Sequence, residues 1–110
     1  MKTDAIYLHH ILDAIAQIEV YTEGVDEATF FQERMRQDAV IRQLEIIGEA
    51  SRQLSEAFRN QHAEIPWRPI IGMRHRIAHD YLNIDLTVVW EVVQYDLPAL
   101  SVRLRRLREG

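Results

Sequence analysis

The sequence predicts an all-α fold, an antiparallel bundle of four helices, or of five if the second is broken. Three observations carry this reading. Apolar residues recur at steps of three and four along most of the chain. Two-residue alternation of the strand kind is not sustained anywhere. The segments between the apolar stripes are short, and short connections place successive helices side by side and antiparallel.

The first stripe is Leu8, Ile11, Ile15 and Ile18, with Thr3 or Asp4 as N-cap and Gly24 as a stop. A helix from Asp4 to Thr22 follows. The second start is read at Thr29, where Gln32 three residues on completes a capping box. Its stripe runs Val40, Leu44, Ile47, Leu54 and Phe58, with a break expected near Gln37. Gly48 lies within that helix, where glycine costs about 1 kcal/mol relative to alanine, so another helix is expected to approach closely there. Small neighbours Ala50, Ser51 and Ser55 agree with such an approach.

Asn60 to Pro66 is polar and ends in proline, and Pro69 fits only the first turn of the following helix. That third helix is expected from Trp67 to His79. Asp85 caps the last one, whose stripe runs Leu86, Val89, Val93, Leu97, Leu100, Leu104 and Leu107, and Pro98 should kink it. Met35, Met73 and the aromatic residues read as core or interface positions.

A chain of 110 residues with a hydrophobic fraction of 47% is the size of one domain, here residues 1–110. No run approaches the roughly 18 apolar residues that span a bilayer, and Met1-Lys2-Thr3-Asp4 does not open an export signal. A cytoplasmic protein is expected. Cysteine is absent, which excludes disulfides, thiolate catalysis and cysteine-ligated zinc. The net charge of −4 opposes broad nucleic-acid binding, yet it is unevenly spread. Residues 1–67 hold six basic and twelve acidic side chains, whereas residues 68–110 hold seven and five. Twelve of the thirteen basic residues are arginine, whose planar fork suits phosphate. Solvated helix faces explain the same charges equally well.

The densest chemistry lies in Gly72-Met73-Arg74-His75-Arg76-Ile77-Ala78-His79-Asp80-Tyr81. On an ideal helix Arg74 and His79 point roughly 140° apart, so they share no face unless the helix ends between them and the long arginine reaches back. Such a pair suits RNA cleavage without metal. The 2′-hydroxyl attacks phosphorus, histidine moves the proton, and arginine steadies the charge on the phosphorane. A full cycle needs both an acid and a base, which a second copy across a dimer supplies. Two other readings stand beside it. Arg74 and His79 can be ordinary capping and surface residues, and His75 with His79, four apart, can bind a metal together with Asp80. No cofactor is called for by any motif.

The stretch Arg74-x4-His79-x-Tyr81 resembles the RX4HXY motif of HEPN-domain toxins, specifically the HepT-like group. The likeness extends through Leu44-Glu45-Ile46-Ile47-Gly48-Glu49-Ala50, Ile65-Pro66-Trp67, Ile71-Gly72-Met73-Arg74, Ile84-Asp85 and Val89-Trp90, in order and spacing. The resemblance implies a HEPN-type bundle that forms a homodimer with two motifs facing one cleft, and metal-independent ribonuclease activity. It assigns catalysis to Arg74 and His79 and a supporting place to His75. It further implies a minimal nucleotidyltransferase antitoxin as partner, which adds AMP to the motif tyrosine, here Tyr81. Negative bulk at that position would oppose RNA phosphate. Arg68 and Arg76 are expected to line the cleft weakly, and the cluster Arg103, Arg105, Arg106 and Arg108 either extends it or, the favoured reading, is a solvated end that suits the negative terminus of the last helix. His9 and His10 read as surface or packing residues. Glu49 matches the family pattern without a mechanism to attach to it. The alternative from another class is a non-catalytic HEPN module that binds nucleotide or a nucleotidyltransferase.

Overall fold

A computed structural model of the chain describes residues 2–80 and 82–109. Helix α1 spans Lys2–Thr22 and ends at Gly24, whose φ of 69° lies in the left-handed region that glycine reaches without penalty. Neither Thr3 nor Asp4 caps it, because both lie inside the first turn. The Asp4 carboxylate crosses instead to Ser55, accepting from its backbone N–H at 2.7 Å and its hydroxyl at 2.8 Å. Burial alone would push the Asp4 carboxyl up, but those two hydrogen bonds, together with the charge of the N-terminus, hold the group below the usual aspartate range.

The second predicted helix is three. Helix α2 is a single turn, Glu27–Phe30, and its N-cap is Asp26, whose side chain accepts from the Thr29 N–H. Thr29 is thus the donor in that cap, and the expected start at Thr29 moves three residues upstream. The break falls at Phe31 to Glu33 rather than Gln37. Gln37 lies buried in α3, where its side-chain amide donates to the Phe30 carbonyl at 2.9 Å and ties α2 to α3. Helix α3, Arg34–Gln53, stops where Leu54 turns extended, and Ser55 then caps α4, Glu56–Gln61, by accepting from the Phe58 N–H.

Two contacts fix the direction of α1 against α3. The start of α1 meets the residue beyond the end of α3 through Asp4 and Ser55, and the Arg36 guanidinium near the start of α3 donates to the Tyr21 carbonyl. The pair is therefore antiparallel. Ile11, Ile15 and Ile18 of α1 and Val40, Leu44 and Ile47 of α3 are all buried between them and the C-terminal helices. Full burial of each such side chain contributes roughly 1.5–3 kcal/mol.

The third predicted helix is two short ones, α5 at Trp67–Ile71 and α6 at Met73–Ile77, joined at Gly72. Both pack on α3 at Gly48. A Cβ there would stand 3.0 Å from the Ile70 carbonyl oxygen and 3.4 Å from that of Ile71, so the close approach expected at this glycine is present. The long C-terminal element begins with α7, Leu86–Glu91, capped as expected by Asp85, which accepts from the Val88 N–H. It continues through a π turn, Val92–Asp96, into α8, Leu97–Glu109. Proline at 98 has no N–H and its ring crowds the carbonyl of Gln94, four residues back. The widened turn, with the Leu97 N–H reaching Val92 five residues away, lies at that carbonyl.

Trp90 stacks at 5.2 Å on the buried Phe30, and Met73 is buried, as the sequence suggests. Met35 is 88% exposed and belongs to no core. Arg103 donates to the Glu64 carbonyl and Arg105 stands 3.6 Å from Glu19, so the C-terminal arginines brace α8 against its neighbours. No helix among the described residues is long and apolar enough to cross a membrane.

Candidate active site

Helix α6 ends at Ile77, two residues before the expected His79, because Ala78 adopts an extended conformation at φ −132° and ψ 130°. Ala78 pairs with Ile84 in an antiparallel bridge, closed by hydrogen bonds from the His79 N–H to the Asn83 carbonyl at 2.9 Å and from the Asp85 N–H to the Ile77 carbonyl at 2.7 Å. Asp80 organises the loop. Its carboxylate accepts from the Leu82 N–H at 2.8 Å, the Asn83 N–H at 3.0 Å and the Asn83 side-chain amide at 2.7 Å. The Leu82 N–H above all, and then the Asn83 amide, hold its carboxyl below the usual range. Tyr81, expected to receive AMP, lies outside the described residues.

This loop alters the geometry of the motif. The 140° separation of an ideal helix no longer applies, since Arg74 is on α6 and His79 is beyond its end. Both line one cleft of about 720 Å³ between α3 and the α6 loop, together with His75. The opposite wall is α3, which presents Arg34, Asp38, Ile41, Arg42 and Glu45. Arg34 is paired with Asp38 at 3.3 Å. Arg42 and Arg74 make no ion pair or hydrogen bond with the described residues, and the same holds for the His79 ring. Two guanidinium groups without ion pairs and one imidazole thus line a space shared with Asp38 and Glu45, an arrangement able to hold a phosphodiester and move a proton beside it.

The early end of α6 also separates His75 from His79, so the shared helical face that a metal pair requires is absent. Among the described residues no three of His, Asp and Glu are grouped to hold a metal ion. Asp80 is committed to the loop. Arg68 and Arg76 are not among the residues lining the cleft. Arg76 turns to the π turn, donating to Asp96 at 3.0 Å. His10 packs edge-on to Tyr7 at 5.9 Å and, with Glu49, lines a second groove of about 400 Å³ that meets the first at Arg42, Glu45 and Arg74. Glu49 accepts from Arg52 at 2.7 Å, and this bond first, then one from Gln53, lowers its carboxyl.

The model of the family described as HepT-like ribonucleases matches residues 11–107. The chain belongs to the ribonuclease HepT-like family. It is 41% identical over 103 residues to a protein of Thermococcus cleftensis named "Probable ribonuclease HepT", covering 94% of each chain. A protein of Caldanaerobacter subterraneus, provisionally named an RNase, is 33% identical over 107 residues, 97% of this chain and 96% of that one. A Methanocaldococcus jannaschii protein, named for gamma-glutamylcyclotransferase and provisionally for RNase, is 43% identical over 110 residues. The HepT-like chain covers 99% of itself in that match and spans 50% of the relative's length. No solved structure matches it.

Proposed function

We propose that this HepT-like chain is a cytoplasmic endoribonuclease toxin that cuts RNA without a metal, as a homodimer of single-domain protomers. The observation that carries this reading is that α6 ends before His79, so that Arg74 and His79 line one cleft with no hydrogen bond or ion pair to either side chain among the described residues. Family membership and the RNase names of its relatives agree with the substrate.

The chemistry balances with protein groups alone. A histidine takes the proton of the RNA 2′-hydroxyl as its oxygen attacks phosphorus. Arg74 stabilises the charge on the equatorial oxygens, favouring the transition state over the ground state. The bond from phosphorus to the 5′-oxygen breaks, a protonated histidine supplies that oxygen with a proton, and a 2′,3′-cyclic phosphate and a 5′-hydroxyl result. One imidazole cannot begin the cycle in both protonation states, and His79 of a second copy fills the other role. His75 supports the site from the same wall. Arg68 is left for phosphates beyond the cleft, whereas Arg76 is paired with Asp96. A nucleotidyltransferase antitoxin silences the enzyme by adding AMP to Tyr81, which follows His79 by two residues and would bring negative charge to the arginines.

The test is RNA cleavage by the purified protein in EDTA, alongside His79→Ala, with intact mass read before and after incubation with the nucleotidyltransferase and ATP. Cleavage that survives EDTA, is lost in the variant and fades as AMP-sized mass appears is the expected result. No cleavage of messenger, transfer or ribosomal RNA by unmodified protein would instead make the chain a non-catalytic nucleotide- or partner-binding HEPN module.

A further inference from the structure

His79 borders two spaces. Besides the cleft it shares with Arg74, it lines a shallower groove of about 420 Å³ whose walls include Phe31, Leu82, Asn83, Asp85 and Thr87. Phe31 sits where α2 ends, 40% exposed, in the break that separates α2 from α3. Its ring is braced from behind, edge-on, by the fully buried Phe30 at 6.3 Å. Phe30 in turn stacks on Trp90, so the exposed ring stands on the core. Hydrogen bonding leaves acceptors beside it. The Asn83 amide nitrogen is engaged by Asp80, and neither its amide oxygen nor the Thr87 hydroxyl makes a hydrogen bond with the described residues.

Resting on the ribonuclease reading above, we propose that this groove is a nucleobase subsite, in which a base next to the scissile phosphate stacks on Phe31 while its edge meets Asn83 and Thr87. Three features favour a base over a second protein chain. The groove is continuous with the Arg74 cleft through His79, Leu82, Ile84 and Leu86, so a strand whose phosphate lies against Arg74 and His79 delivers its adjacent base here. An anchored, exposed ring is the platform that single-stranded nucleic acid uses, because every base has a π-face. The volume falls within the range of small-ligand pockets. The polar groups at the rim allow modest preference among bases, as edge contacts in single-stranded RNA do.

The experiment measures binding of fluorescein-labelled 2′-O-methyl oligo(A) and oligo(U), which lack the nucleophile and stay intact, to the full chain and to Phe31→Ala, Phe31→Leu and Phe31→Trp. Loss of affinity of about tenfold in the alanine and leucine variants, with tryptophan retaining it, is the expected result. Thermal melts confirm that each variant folds, and light scattering reports its mass. Unchanged affinity in folded Phe31→Ala overturns the subsite. So does a fall in mass with the same substitution, which would make the groove an interface between copies. Cleavage adds a separate readout. A Phe31 effect on KM with kcat kept supports the subsite, and Phe31-dependent binding by a wild-type chain that cuts nothing refutes the ribonuclease reading while leaving the base subsite standing.

Discussion

Gly48→Ala sets two effects of opposite sign against each other, and the structure decides between them. In mid-helix, alanine is favoured over glycine by about 1 kcal/mol. Against that, the new Cβ would meet the Ile70 carbonyl oxygen at 3.0 Å, the Ile71 carbonyl oxygen at 3.4 Å and the Met73 Cβ at 3.4 Å. Two of these three atoms are backbone, so no rotamer change removes the contact, and α5 and α6 must move off α3 together. Overpacking of this kind costs about 1–3 kcal/mol, and backbone on one side places it in the upper part of that range. The expected net result is destabilisation of about 1 kcal/mol, a fall in Tm of about 4 °C for a domain of this size. Urea and thermal unfolding followed by far-ultraviolet circular dichroism measure it. Because α6 carries Arg74, cleavage measured well below the melt should fall by more than the lost folded fraction explains. A variant with equal or higher Tm would refute the argument, since it would show that helix propensity wins and that α3 and α5 have room to spare.

Three further outcomes follow from the site and its frame. Arg74→Lys keeps the charge but not the two-pronged fork, and cleavage should drop to about a tenth or less with the melt unchanged, because the side chain is exposed. Asp80→Ala removes the acceptor of three hydrogen bonds that shape the loop around His79 and orient Asn83, so kcat should fall by on the order of tenfold to a hundredfold and binding of 2′-O-methyl RNA should weaken with it. Asp4 has a folded pKa below its unfolded value of about 3.9. Its contribution is therefore complete at neutral pH and is lost as pH falls from about 4 through the folded value. Urea midpoints across an acid series should decline more steeply for wild type than for Asp4→Asn, and parallel curves would remove Asp4 as a cause.

The all-α fold was legible because the stripes on α1, α3 and α8 are long and regular, and the same residues form the core. Boundaries were less so. Two capping patterns compete three residues apart, at Asp26 and at Thr29, and the carboxylate wins by accepting from the very threonine that would have capped. The break at Leu54 is invisible to periodicity, since Leu54 and Phe58 continue the apolar stripe across it. No glycine or proline marks the end of α6. The signal that did exist is Asp80 followed three residues later by Asn83, a side chain placed to compete with helical hydrogen bonding.

Arg74, His75 and His79, singled out from local sequence, lie together in one cleft. The facing wall was not legible, because α3 is brought opposite α6 only by tertiary packing at Gly48. Arg34, Asp38, Arg42 and Glu45 nevertheless repeat at helical spacing, so a charged stripe along one face of the helix was there to be read. The pairing of Arg76 was hidden for the same reason, as its partner Asp96 comes from an element twenty residues further on.

The π turn at Val92–Asp96 gives the chain one position where its length is negotiable. A single extra residue in a regular helix rotates everything downstream by about 100°, which would swing Leu100 and Leu104 out of the core. Confined to a widened turn, the surplus is absorbed locally and the two flanks keep their common face. Deleting one residue between 92 and 96 would therefore restore an ordinary helical ladder without turning α8, whereas the same deletion on either side would not. The deletion carries a condition, because it returns a regular turn to the carbonyl that the Pro98 ring crowds. Loss of the bulge and loss of that proline are thus tied together, and related chains that lack one are expected to lack the other.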